Sequence, residues 1–229
     1  MPDVAVVTGA SRGIGAATAR RLAADGYRVI ACARTRADLE RVAKTSPSIR
    51  AVVADVARPA DVARLAEVAV AEGRIVAWIN NAAQLRKKAF DRLELDEWRA
   101  LMGANLDSVF LGCRAAYDAM ASSGGGVIVN IASLSGVQNV EKFPGLTAYN
   151  VAKAGVIALS EAVALEGREH GVRCTCVSFG AVETAMLHEA NPSLRARMTP
   201  DDAATVIAWL VTPAAAPLSG TNIPIFSNG

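Results

Sequence analysis

Histidine and cysteine are scarce in this sequence. Its 229 residues include two histidines, His170 and His188, and four cysteines. They form no cluster with the spacing of zinc ligands, so no metal site is expected. Cys174 and Cys176 alternate along a strand-like segment, a pattern typical of packing. The small number of cysteines favours a reducing, cytoplasmic setting.

An excess of charge of either sign is also missing. The 24 basic and 22 acidic residues give a formal net charge of +2. This balance gives no indication of nucleic acid or a membrane surface as a partner. No apolar run approaches the roughly 18 residues of a membrane-spanning helix, so none is expected. The first residues lead directly into a strand pattern, and we expect no signal peptide.

Apolar residues are abundant, at 52% of the chain, and alanine and valine are prominent among them. This composition suits a buried parallel sheet covered by helices. The length allows one domain with a large core, or at most two small ones. Along the chain the patterns alternate strand and helix from beginning to end, which predicts one doubly wound parallel α/β sheet.

A glycine-rich turn follows the first predicted strand, Asp3 to Thr8. The turn reads Thr-Gly-Ala-Ser-Arg-Gly-Ile-Gly, and an alanine-rich helix pattern runs on to about Ala24. Strand, glycine turn and helix in this order are typical of dinucleotide binding, since bare backbone and the helix N-terminus can approach a pyrophosphate. Gly9 would allow the tight turn. Glycine turns also serve as plain connections, so the motif alone decides little.

Tyr149 and Lys153 lie four residues apart in a helical pattern, which places them on one face, one turn apart. Free tyrosine has a pKa near about 10 and is a poor acid or base at neutral pH. A neighbouring ammonium would lower that pKa and allow proton exchange with a carbonyl or alcohol oxygen. The alternative is a surface pair on an amphipathic helix.

The spacing G-x-x-x-G-x-G, followed far downstream by Tyr149 and Lys153, resembles the short-chain dehydrogenase/reductase family, in particular its 3-oxoacyl-ACP reductase-like members. The resemblance runs from Thr8 to the C-terminus; each motif is modest, but their order and spacing are specific. It implies a single-domain Rossmann fold over residues 1–229, with a parallel seven-stranded sheet and a short substrate lid at about 185–198.

The resemblance also implies a catalytic set of four residues. Tyr149 is the general acid/base, and Lys153 lowers its pKa and bonds the nicotinamide ribose. Ser133, just after the fifth predicted strand, orients the carbonyl, with Ser135 as the alternative. Asn105, inside a helix predicted from Leu95 to Ser122, bends that helix and holds a water. Asparagine is a poor residue for a helix interior, which agrees with a special role.

The family's cofactor contacts map onto five segments of the chain. Asp55 would bond the adenine amino group, Val56 would pack on its ring, and the turn at Gly180 to Thr184 would bind the nicotinamide amide. The implied cofactor-binding residues are Gly9, Ser11, Arg12, Gly13, Ile14, Gly15, Arg34, Asp55, Val56, Asn81, Ala82, Tyr149, Lys153, Gly180, Val182 and Thr184.

NADP(H) is expected in preference to NAD(H). Ala33 stands where NAD-using members carry an aspartate for the ribose hydroxyl, and Arg34 follows it. Arg12, inside the glycine turn, offers a second cation for a 2′-phosphate. The alternative is that Arg34 and Arg36 are solvated residues at the start of the next helix.

The sequence departs from the family pattern in three places. Ala83 replaces a glycine, at a cost of roughly 1 kcal/mol if that glycine had a positive φ. Phe179 replaces a proline. A short insertion, residues 139–144, is expected to lie against the active site. In the lid, Met186, Leu187, Leu194 and Met198 could line the pocket or pack in the core.

The function expected is reversible hydride transfer between NADP(H) and a small-molecule carbonyl or secondary alcohol. The first alternative is a 3-oxoacyl-ACP reductase, which would need a basic docking patch, at residues 86–88 or 195–197. The second is a non-catalytic nucleotide-binding scaffold or redox sensor, which would have no chemical need of the four catalytic residues. A homodimer or homotetramer, built on the long helices near 95–122 and 147–168, is expected.

Overall fold

Seven parallel strands form one sheet in the computed structural model, which describes residues 1–227. The strands are β1 (Asp3–Thr8), β2 (Arg28–Ala33), β3 (Ile49–Val53), β4 (Arg74–Asn80), β5 (Gly126–Ile131), β6 (Val172–Phe179) and β7 (Asn222–Ile225). Their order is β3-β2-β1-β4-β5-β6-β7, so the chain reverses direction across the sheet between β1 and β4. The doubly wound fold predicted from the sequence is confirmed.

Eight α-helices cover the two faces of the sheet in the described part of the chain. They are α1 (Gly13–Ala24), α2 (Arg36–Ala43), α3 (Pro59–Glu72), α4 (Leu95–Met102), α5 (Ser108–Ala121), α6 (Thr147–Gly167), α7 (Ala185–Ala190) and α8 (Pro200–Val211). Side chains of successive strand residues point to opposite faces. Ala5 and Val7 therefore pack in one core, while Val4 and Val6 pack in the other.

The helix predicted from Leu95 to Ser122 is interrupted in the structure. A π-helical turn, Gly103–Asp107, separates α4 from α5. Asn105 causes the interruption, because its side-chain Nδ2 donates to the carbonyl oxygen of Leu101 at 2.9 Å. An α-helix would give that oxygen to a backbone N–H four residues on, so the side chain replaces a backbone bond.

One helix qualifies the expectation about membrane spans. Residues Thr147–His170 are long and apolar enough to cross a membrane by length and composition, with a mean hydropathy of 1.2. The same helix packs on β6 and buries Tyr149, Lys153 and Val156. Helices inside a folded core meet the same criteria, and we interpret this one as such a helix.

The two substitutions within the family pattern are accommodated without strain. Asn139 is the one non-glycine residue with a positive φ among residues 1–227, so Ala83 does not take the costly conformation considered above. Phe179 continues β6, opposite Ile225, and is 3% exposed. At the edge of the sheet, β7 contains Pro224, as expected for a residue that donates no ladder bond.

Candidate active site

A cavity of about 820 Å³ opens at the carboxyl ends of the strands, where ligands bind in open α/β sheets. The loops after β1, β2, β4, β5 and β6 all contribute to it. Except for Gly15 and Asn105, every residue predicted for catalysis or cofactor binding lines this cavity. Residues far apart in the sequence are thus brought to one site.

The side chain of Asn81 leaves no room for a Cβ at two positions of the glycine turn. Its Nδ2 donates to the carbonyl oxygens of Thr8 and Gly9, at 2.9 and 3.3 Å. A Cβ on Gly15 would lie 2.4 Å from that Nδ2, and one on Gly9 2.8 Å from it. Gly9 and Gly13 also have positive φ angles, 66° and 55°. The need for Gly9 and Gly15 therefore arises from packing within the protein, before any ligand is considered.

Thr8 and Asp61 also position the site, and sequence reasoning missed both. The Thr8 hydroxyl accepts hydrogen bonds from the amides of Asn81 and Ala82, at 3.0 and 3.1 Å. Asp61 accepts from the Asp55 amide at 2.8 Å, and this bond lowers the Asp61 pKa. Thr8 is a buried polar residue at a strand end, which is the signal that would have singled it out.

The arginine side chains near the end of β2 differ in whether they form ion pairs. Arg12 forms an ion pair with Glu189 of α7 at 3.3 Å, and both side chains are 60% exposed. Arg36 pairs with Glu40. Arg34 lines the cavity and has no hydrogen bond or ion pair within the described residues. Arg34 is therefore available to an anionic group in the cavity.

Tyr149, Lys153 and Ser133 meet at the buried end of the cavity. Lys153 Nζ donates to the carbonyl oxygen of Ile131 at 2.8 Å and lies 5.6 Å from the centre of the Tyr149 ring. Tyr149 and Lys153 are 8% and 2% exposed. Ser133 Oγ accepts a bond from the Ser135 amide at 3.2 Å, and both serines line the cavity.

Burial controls the ionisation of this pair. It raises the pKa of Tyr149 to about 12, and a hydrogen bond with Ser133 offsets part of that increase. Burial also lowers the pKa of Lys153 to about 8. In the protein alone, desolvation of the phenol therefore outweighs any lowering of its pKa by Lys153. Of the two serines, Ser133 is the one whose side chain acts on the Tyr149 pKa.

Asn105 lies behind the cavity and is fully buried. Its Oδ1 accepts a hydrogen bond from the backbone amide of Gln84 at 3.0 Å, so it also fixes the loop after β4. Its neighbour Ala104 lines the cavity. The helix distortion implied by the family resemblance is present, and a role in holding water stays a prediction.

Three segments form the outer part of the cavity: the loop after β4, the insertion at 139–144 and the lid. Their larger apolar lining residues are Leu85, Val140, Phe143, Met186, Leu187 and Leu194. The insertion thus lies against the site, as predicted. Met198 does not line the cavity; it pairs with Val182 in a β-bridge and packs on the core. Thr184 caps α7 by accepting from the Leu187 amide at 3.3 Å.

The residues present fit a nicotinamide dinucleotide. Gly13 begins α1 at the cavity wall, and a Cβ there would meet only Thr184, at 3.4 Å. Asp55 and Val56 line one end of the same cavity, and Lys153 and Tyr149 line the other. The arrangement defines a Rossmann-type nucleotide-binding protein with a buried tyrosine and lysine in its cavity.

Comparisons with known proteins agree with this class. The family model for short chain dehydrogenase matches residues 3–195. A 3-oxoacyl-[acyl-carrier-protein] reductase from Synechocystis sp. is 38% identical over 233 residues, covering 95% of this chain and 93% of the relative. The chain belongs to the short-chain dehydrogenase family of oxidoreductases.

Two solved structures extend the comparison to bound cofactors. An actinorhodin polyketide ketoreductase with NADPH has a TM-score of 0.89 at 28% identity, with 99% of this chain and 96% of that chain covered. A 3-ketoacyl-(acyl-carrier-protein) reductase from Brucella melitensis complexed with NADH has a TM-score of 0.88 at 29% identity, with 97% and 96% covered. The fold is thus one that binds nicotinamide cofactors of either kind.

Proposed function

We propose that this chain is an NADP(H)-dependent oxidoreductase that interconverts a carbonyl and a secondary alcohol, with Tyr149 as the general acid/base. The observation on which this proposal depends most is the burial of Tyr149 beside Lys153 and Ser133, in a cavity shared with the glycine turn. A surface pair, the alternative considered from the sequence, would be exposed to solvent.

In this proposal each catalytic residue acts through one functional group. The Tyr149 hydroxyl donates its proton to the developing alkoxide, and the Ser133 hydroxyl orients the carbonyl oxygen. The Lys153 ammonium, fixed by Ile131, bonds the ribose and favours the phenolate as the proton leaves. Asn105 holds the water that resupplies the proton. The nicotinamide, when bound, supplies or accepts the hydride.

A preference for NADP(H) is supported by charge at the end of β2. Arg34 is an unpaired cation there within the described residues, and Ala33 offers no carboxylate to repel a phosphate. Arg12 can contribute a second cation to the same phosphate only if its ion pair with Glu189 breaks. An exposed ion pair contributes about 0–1 kcal/mol, so Arg12 loses little free energy when it exchanges Glu189 for a phosphate.

We further propose that the chain acts as one domain in the cytoplasm, with residues 185–198 as its lid, and assembles into a homodimer or homotetramer. Large apolar side chains on α5 and α6 remain exposed, notably Phe110 at 48%, Val151 at 45% and Leu165 at 62%. Burying them against a second copy would remove apolar area from water.

A 3-oxoacyl-ACP reductase is the second candidate function, favoured by the similarity to the Synechocystis enzyme. Its acidic carrier protein would dock on basic residues. Arg86 and Lys88 both pair with Glu97, however, and Arg195 bonds the carbonyl oxygens of Pro192 and Leu194. Two cations of the first patch and one of the second are therefore already engaged within the chain.

Turnover tests the proposal directly. NADPH and NADH oxidation would be followed over a panel of ketones, aldehydes, quinones and 3-oxoacyl thioesters, with Tyr149→Phe beside the wild type. Tyr117→Phe is the matched control, because its hydroxyl bonds the Glu166 carbonyl outside the cavity. Loss of turnover in Tyr149→Phe alone supports the proposal. Retained turnover in that variant would remove Tyr149 from the mechanism, and tight binding without any turnover would favour a nucleotide-binding scaffold.

A further inference from the structure

The loop after β4 is hydrogen-bonded to Gly145, which directly follows the insertion. The backbone amide of Lys88 donates to the carbonyl oxygen of Gly145 at 2.9 Å. The aliphatic part of Lys87 lies over Gly145, where a Cβ would come within 2.9 Å of Lys87 Cγ. Gly145 has a φ of +83°, which also favours glycine. The Lys87 side chain thus packs on the residue that directly follows the insertion.

Lys87 differs from both of its basic neighbours. Arg86 and Lys88 form ion pairs with Glu97 of α4, and the Lys88 bond holds the pKa of that carboxyl below its usual value. Lys87 lines the cavity and forms no hydrogen bond or ion pair with any residue of the described chain. One of three consecutive cations is therefore left for a ligand in the cavity.

The loop after β4, the insertion and the lid line the cavity mainly with apolar side chains. The polar lining residues of these three segments are Asn81, Gln84, Lys87, Glu141 and Asn191. Tyr149 lies at the buried end and Lys87 at the exposed end. A pocket of this kind fixes orientation by a few placed polar groups. A matching ligand has an apolar body, a carbonyl at one end and an anion at the other.

Glu141 of the insertion is the charged residue that works against this arrangement. It also lines the cavity and has no partner within residues 1–227. It lies more than 4 Å from Lys87, since no ion pair joins them. A carboxylate near the site would weaken anion binding. Removing the charge of Glu141 should therefore change the affinity for an anionic ligand in the opposite direction to removing that of Lys87.

We propose that the substrate is a keto acid with an apolar body, whose carboxylate binds Lys87 while its carbonyl faces Tyr149. This proposal rests on the proposed function. The carbonyl carbon gains a hydride from the reduced nicotinamide, and its oxygen gains the Tyr149 proton. The product is the hydroxy acid and the oxidised cofactor; the carboxylate takes no part in bond making.

The test uses a matched pair of ketones, 4-oxocyclohexanecarboxylate and its methyl ester, with Lys87→Met, Lys88→Met and Glu141→Gln. Lys87→Met should raise KM for the acid about fivefold, the size of an exposed charge interaction, and leave kcat and the ester nearly unchanged. Lys88→Met should change neither substrate. Glu141→Gln should lower KM for the acid. Equal losses for acid and ester, or for both lysine variants, would overturn the proposal.

A binding measurement separates this proposal from the reaction itself. Calorimetric titration with cyclohexanecarboxylate and cyclohexanecarboxamide, in the presence of NADP⁺, needs no turnover. Wild type should bind the acid more tightly, and Lys87→Met should lose that preference. If the preference is present but no ketone turns over, the anion site stands and the proposed reaction fails. If wild type binds the acid and the amide equally, the keto acid proposal is wrong whatever the turnover shows.

Discussion

Lys153 Nζ is bound to the carbonyl oxygen of Ile131 at 2.8 Å and lies 5.6 Å from the centre of the Tyr149 ring. Both side chains are buried, and burial opposes the charged form of each. With pKa values of about 8 for Lys153 and about 12 for Tyr149, neutral pH leaves the lysine charged and the tyrosine protonated. These are the states in which Tyr149 can act as an acid.

The first prediction concerns the pH dependence of carbonyl reduction. Because Lys153 loses its proton as pH rises through about 8, kcat/KM for reduction should be full below that pH and fall above it. Initial rates between pH 6 and 10 would show this decrease in kcat/KM, the basic limb of the pH profile. Lys153→Met should lower activity by about two to three orders of magnitude and abolish the limb. A limb that persists unchanged in that variant would assign it to another group.

The second prediction concerns cofactor choice. Arg34→Ala should weaken NADPH binding about tenfold, as expected for loss of a charge-assisted phosphate contact, and change NADH binding little. Arg36→Ala is the matched control, because Arg36 does not line the cavity and pairs with Glu40. Glu189→Gln should release Arg12 and strengthen NADPH binding by up to about fivefold. Fluorescence titration with both nucleotides measures each effect, and equal changes for NADPH and NADH would exclude a 2′-phosphate site here.

The main features of the fold were predictable because local pattern and global structure agree. Buried strands such as Asp3–Thr8 show as apolar runs, and the pairing of Tyr149 with Lys153 on one helix face follows from helical spacing. The helix interruption at Asn105 was implied only by family resemblance, because the Leu101 contact depends on a π-helical turn that periodicity does not encode. The Tyr149 pKa was expected to fall, and burial raises it instead. Burial is set by tertiary packing, which spacing alone does not give.

Long-range packing also explains the third prediction, on Gly15. A Cβ there would lie 2.4 Å from both Asn81 Nδ2 and the Gly9 carbonyl oxygen, so Gly15→Ala must displace the loop after β4 or the glycine turn. We expect a loss of about 1–3 kcal/mol in the free energy of unfolding, as for overpacking, and weaker binding of both nucleotides. Gly103→Ala is the control, because its Cβ would meet only Asp107, at 3.9 Å. Urea denaturation and nucleotide titration provide the measurements; wild-type values for Gly15→Ala would show that the turn can relax.

The fourth prediction concerns a buried hydrogen-bonded chain beneath the site. Trp78 Nε1 donates to Asn80 Oδ1, Asn80 Nδ2 to Asn130 Oδ1, and Asn130 Nδ2 to Ser160 Oγ, each at 2.9 Å. All four side chains are at most 3% exposed. This series of hydrogen bonds joins β4 and β5 to α6, the helix that carries Tyr149.

Asn130→Ala would leave the Asn80 amide with only the Cys113 sulfur as acceptor, at 3.5 Å, in a buried site where a poorly satisfied polar group costs about 1–3 kcal/mol in addition to the lost bonds. We expect the free energy of unfolding to fall by about 2–4 kcal/mol and kcat to fall with it, since α6 loses one of its hydrogen bonds to β5 and keeps the one from Lys153 to Ile131. Asn191→Ala, whose side-chain bonds are local and exposed, should leave the free energy of unfolding nearly unchanged. Ser160→Ala combined with Asn130→Ala should cost less than the sum of the two single changes, because both remove the same bond. Strict additivity in denaturant unfolding would mean that the two residues act independently and that the chain does not hold α6 in place.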